Sequence, residues 1–162
     1  MAYSEIPIGL ALILCDTVIE DRHTMKKSLI GLFSQIGTMT FPYTHPLIHL
    51  LVSLTGGKGD YPCEVLCQHE DLQTTVFSIK NNLRFRSHDE VADLVYNLKS
   101  LTFPRPGRYW FKVLLDDTPI MMRPVLVVNR QELKPPAPPR SPRPPQSPPP
   151  SPPPVPPRPD LP

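Results

Sequence analysis

Seventeen of the 25 prolines lie beyond Lys134, and this asymmetry decides where the chain can fold. Proline donates no backbone N–H and holds φ near about −65°, so neither helix nor sheet runs through residues 135–162. Residues 134–162 are therefore expected to be a disordered, extended polyproline-rich tail with wobble at its serines. Folding falls to residues 1–133, whose proline density is ordinary. A domain of that size buries roughly two-thirds of the surface of its unfolded chain and needs no disulfide or metal to hold it.

The body reads as short strands separated by turn signals, the signature of an all-β antiparallel sandwich of about eight strands. Leu10–Ile19 is an apolar core strand, and Glu20-Asp21-Arg22-His23 a polar turn. Ser28–Thr40 reads as one strand that Gly31 and Gly37 bulge or bend. Pro46–Thr55 and Tyr61–His69, joined by Gly56-Gly57-Lys58-Gly59-Asp60, read as a hairpin. Pairing Leu54 with Tyr61 puts Ile48, Leu50, Val52 and Leu54 on one face with Tyr61, Cys63, Val65 and Cys67. Gln73–Phe85 follows as a strand.

Ser87–Leu101 is ambiguous. Ser87 and Glu90 fit a helix capping box, yet Leu94, Tyr96 and Leu98 alternate as in a strand. The expectation is a helical turn at 88–92 leading into a strand. Arg108–Leu115 is a strand with Tyr109, Phe111, Val113 and Leu115 inward, and Met121–Val128 closes the sheet.

Charge and cysteine usage narrow the setting. The tail from Lys134 carries +3, whereas the body is close to neutral at −1. A dedicated nucleic-acid surface needs a basic patch to displace counterions, so no specific nucleic acid is expected. Cys15, Cys63 and Cys67 make an odd count without framework spacing. The apolar run Ile8–Leu14 follows Glu5 and meets Asp16 at once, unlike a signal peptide, and no run is long enough for a membrane span. A reducing, cytoplasmic setting is the expectation.

Each chemical constellation has a plainer reading. Cys63, Cys67 and His69 share a strand face, with His45 and His49 on the neighbouring run, but free cysteine among apolar residues is usually core. Asp16 beside Cys15 works against a reactive thiolate. Asp16, Glu20, Asp21, Arg22, His23, Lys26 and Lys27 crowd one turn and would serve a small ligand-binding or enzymatic domain, although solvated turns look the same. No catalytic residue, metal or cofactor is assigned.

Two features point to partners. Trp110 and Lys112 alternate with the inward set and so face outward, and tryptophan is enriched at interface hot spots. The tail carries PxxPxR twice, as Pro135, Pro138 and Arg140 and as Pro153, Pro156 and Arg158. Such proline rods dock into aromatic grooves, though a spacer has the same composition.

Leu14-Cys15-Asp16, Lys27-Ser28-Leu29-Ile30-Gly31-Leu32-Phe33 and Phe103-Pro104-Arg105-Pro106-Gly107-Arg108-Tyr109 carry a resemblance. In these segments the body resembles a family of uncharacterised bacterial proteins, a domain of unknown function. The resemblance implies a small sandwich and a bacterial, cytoplasmic protein, and brings no activity. Pro106-Gly107-Arg108-Tyr109 is also similar to the immunoglobulin-type corner at which a tyrosine opens the penultimate strand and bonds back to the backbone. Phe111 stands where antibody domains have cysteine, so the likeness implies fold and not recognition.

The reading overall is a non-catalytic protein-interaction module, with the tail as tether and a protein partner or a second copy as occupant. The runner-up is a small ligand-binding or enzymatic domain using Asp16–Lys27, and the third reading a structural subunit of a bacterial assembly.

Overall fold

A computed structural model describes residues 5–131. The proline tail, including both PxxPxR matches, lies outside the described residues. Among the described residues there are nine strands: β1 (Ile8–Glu20), β2 (Lys27–Leu32), β3 (Gln35–Thr38), β4 (Tyr43–Thr55), β5 (Gly59–His69), β6 (Thr75–Phe85), β7 (Val91–Phe103), β8 (Gly107–Leu115) and β9 (Thr118–Asn129). They form a four-stranded sheet of order β2-β1-β4-β7 and a five-stranded sheet of order β3-β9-β8-β5-β6.

The fold is immunoglobulin-like. Neighbours β9-β8-β5 and β4-β7 occupy the places of strands G-F-C and B-E in that sandwich. Tyr109 opens β8, the penultimate strand, and its hydroxyl donates to the carbonyl of Arg105 at 2.7 Å, which is the expected corner. The corner is tightly tied. Asp71 pairs with Arg105, and its Oδ1 accepts from the backbone N–H of Gln73 (3.0 Å) and Thr74 (3.2 Å). His69 Nδ1 accepts from the N–H of Asp71 (3.2 Å), and its ring sits edge-on to Tyr109.

Alternation places the core. Ile48, Leu50, Val52 and Leu54 of β4 and Tyr61, Cys63, Val65 and Cys67 of β5 are all buried. So are Tyr109, Phe111, Val113 and Leu115, the inward set of β8. All three cysteines are free and buried, and burial raises each thiol pKa.

Four expectations need correction. First, β4 and β5 are not a hairpin. β4 pairs with β1 and β7, and β5 with β6 and β8, so neither has an edge left for the other. The glycine loop is an arch that carries the chain between sheets, with Gly56 at φ 78°. Leu54 and Tyr61 thus belong to opposing faces of one core. Second, Ser28–Thr40 is two strands in different sheets, with the crossing at Phe33-Ser34. Third, the sandwich is not wholly antiparallel, because that crossing brings β3 alongside β9 in parallel. Fourth, in place of a helical turn at 88–92, residues 87–90 form a tight turn, Glu90 N–H to Ser87 C=O at 3.2 Å, and β7 begins at Val91. No helix occurs among the described residues.

The β8–β9 hairpin turns on Asp116 (φ 46°) and Asp117 (φ 62°). Two successive positive-φ residues are what a two-residue turn matched to strand twist requires, and aspartate tolerates that region better than most side chains.

Candidate functional site

Trp110 and Lys112 lie on the outer face of the five-stranded sheet. Trp110 stands opposite Gln68 of β5 and Pro124 of β9; Lys112 stands opposite Leu66 and Met122. Trp110 is half-buried, and the Lys112 ammonium is tied to Gln68 Oε1 at 3.0 Å. Around them Met122 is 51% and Leu126 41% exposed, so apolar side chains meet solvent along β9.

Beside this face β9 has a free edge. Among the described residues, 118–125 pair with β8 alone, since β3 begins opposite Leu126. Among the described residues the first half of β1 is equally unpaired on the side away from β4, since β2 ends opposite Cys15. These two edges border an open groove of about 520 Å³ lined by Leu10–Leu12 and Met121–Pro124. Arg123 spans it, donating from Nη1 to the Leu12 carbonyl at 3.2 Å while its Nε is buried without a partner.

Part of the polar turn after β1 is tied within itself. Asp21 Oδ1 accepts from the N–H of Thr24 and His23, both at 2.8 Å, and these bonds hold its carboxyl below the usual range. Glu20 pairs with Lys27 at 3.1 Å. Only Asp16 leaves this group and joins a different one. It lines a cleft of about 200 Å³ with Phe33, Gln35, Tyr43, His45 and Arg130.

Two glycines make that cleft possible. A Cβ on Gly31 would lie 2.3 Å from Asp16 Oδ2, and one on Gly37 2.7 Å from Arg130 Nε. Gly31 also has φ 71°, a conformation side-chain-bearing residues avoid. Each glycine thus gives its place to a charged side chain of the cleft. His45 stacks on Phe33 and meets Tyr43 edge-on, with ring centroids 6.2 Å and 6.0 Å apart. Its Nδ1 is buried without a partner. Burial lowers its pKa, against the smaller opposing pull of Asp16. The imidazole is therefore neutral at neutral pH.

The match to a family covers residues 10–128, from β1 into β9. The chain belongs to the DUF6941 family. This is a family of unknown function. No curated protein matches the chain. The DUF6941 match includes Trp110, Lys112, Asp16 and His45, and ends two residues before Arg130. No helix of the described residues is long and apolar enough to cross a membrane.

Reading the sequence missed Tyr43, His45 and Arg130 as companions of Asp16. They come from segments far apart in the chain, and the one local signal was the pair Gly31 and Gly37. The five residues Cys63, Cys67, His69, His45 and His49 are not assembled. Cys63 and Cys67 line the core from β5, while His45 and His49 belong to β4 in the other sheet.

Proposed function

We propose that this DUF6941 domain is a non-catalytic protein-interaction module of a bacterial cytoplasm, binding a protein partner through the Trp110 face of its five-stranded sheet. The observation that carries this reading is the apolar strip of Trp110, Met122 and Leu126 beside the unpaired edge of β9. An aromatic anchor supplies contact area, and a free edge offers backbone groups for an added strand. Three free, buried cysteines fit a reducing compartment. The tail acts as a tether in this reading, and a second copy of the chain is the alternative occupant.

The test is capture of a stoichiometric partner from host lysate on immobilised protein. Trp110→Ala with Met122→Ser should abolish it. Ile30→Ser with Leu32→Ser changes exposed apolar residues on β2 of the other sheet and should leave it intact. Retention by the first variant would refute the assignment of this face. A concentration-dependent dimer lost in the same variant would identify the partner as a second copy.

The runner-up, a small ligand-binding or enzymatic domain using the Asp16–Lys27 turn, keeps one observation in its favour: Asp16, alone of that group, lines a cleft with His45 and Arg130.

A further inference from the structure

Asp16 and Arg130 are opposite charges on the wall of one cleft, yet they do not pair. Among the described residues, every ion pair within 4.0 Å involves other groups. Neither charge is idle by accident of position. Each is seated where a glycine leaves room for it, Gly31 for the carboxylate and Gly37 for the guanidinium. Two opposite charges that line one open cleft without pairing leave their attraction available to a molecule that fits between them.

The rest of the wall sets the character of that molecule. Phe33, Tyr43 and His45 contribute ring surface, and Gln35 adds an amide that both donates and accepts. The volume, about 200 Å³, is below the roughly 300–1,000 Å³ of pockets that take drug-sized ligands. A guanidinium fork matches a carboxylate through two parallel N–H···O bonds, and an aspartate carboxylate matches an ammonium.

We propose that the cleft between β1, β3 and the start of β4 binds a small zwitterion of free amino-acid size, its carboxylate on Arg130 and its ammonium on Asp16. This goes beyond the partner-binding role assigned to the Trp110 face and does not depend on it. The two sites lie on different parts of the sandwich, so one can fail while the other stands.

The experiment is a titration of the full chain, followed by backbone amide NMR shifts, with L-alanine, acetate and methylammonium as separate probes. L-alanine should give saturable shifts around residues 31–37 and 43–45, and each singly charged probe should bind at least about tenfold more weakly, a loss of about 1.4 kcal/mol. Asp16→Asn should reduce L-alanine binding to the level of acetate, and Arg130→Gln to that of methylammonium. Gly37→Ala should weaken L-alanine by displacing Arg130, with the fold checked by its melting temperature. No saturable shift with L-alanine would overturn the proposal. Acetate binding as tightly as L-alanine would also overturn it, leaving an anion site on Arg130. Unchanged L-alanine binding in both charge variants would do the same.

Discussion

Two clusters in this sandwich use the same four side-chain types, histidine, aspartate, arginine and tyrosine. At the β7–β8 corner, Asp71 holds Arg105 and caps two backbone N–H groups, Tyr109 bonds to the Arg105 carbonyl, and His69 accepts from Asp71. In the cleft, Asp16 and Arg130 stand apart and His45 Nδ1 has no partner. Identical chemistry thus makes a closed joint in one place and an open one in the other. The corner residues sit at strand ends next to adjacent turns, whereas the cleft draws its residues from β1, the β2-to-β3 crossing, the start of β4 and the end of β9. A satisfied cluster spends its hydrogen bonds on the fold; an unsatisfied one keeps them for something else.

The largest effect that separates the clusters is on stability. Tyr109→Ala should cost about 3–5 kcal/mol, as for other buried aromatic truncations. Tyr109→Phe should account for about 1–3 kcal/mol of that, through the carbonyl left without its donor. Urea unfolding followed at the single tryptophan measures both. Next comes the paired carboxylate test. Asp71→Ala should lose about 1.5–3 kcal/mol, because it removes charge-assisted bonds to Arg105 and two amides. Asp16→Asn should stay within about 0.5 kcal/mol of the parent chain. Equal losses at the two aspartates would erase the distinction.

A smaller effect sharpens it through pH. His45 has its pKa lowered by burial, so the unfolded chain binds the proton more readily. The stability contributed by its neutral form is complete above the unfolded value near 6.5. It is lost as pH falls below that value and levels off below the folded one. His45→Gln should flatten that limb of the stability curve. The smallest expected signal concerns the thiols. Burial raises the pKa of Cys15, Cys63 and Cys67, so a thiol reagent at mildly alkaline pH should label them only on unfolding.

How much of this was legible in the sequence follows from what alternation encodes. Period two tells which face a residue takes, and it placed Tyr109, Phe111, Val113 and Leu115 inward and Trp110 outward. It does not tell a neighbour in the sheet from a partner across the core. That is why β4 and β5 read as a hairpin although they face each other from opposing sheets. The parallel pairing of β3 with β9 was hidden because a four-residue strand carries little pattern. The cleft was least legible. Asp16, His45 and Arg130 each look like an ordinary polar residue until the chain crosses between sheets. Gly31 and Gly37 were visible, but a glycine that makes room for a side chain resembles one that bends a strand.

The central claim is that the sandwich, through its Trp110 face, is the binding element and the proline tail a tether. The most direct measurement is paired capture with full-length protein and a 1–133 truncation, each with and without Trp110→Ala. The account predicts that both parent baits recover the same stoichiometric partner and both tryptophan variants lose it. Recovery by the full-length bait alone, indifferent to Trp110, would contradict it and assign binding to the tail.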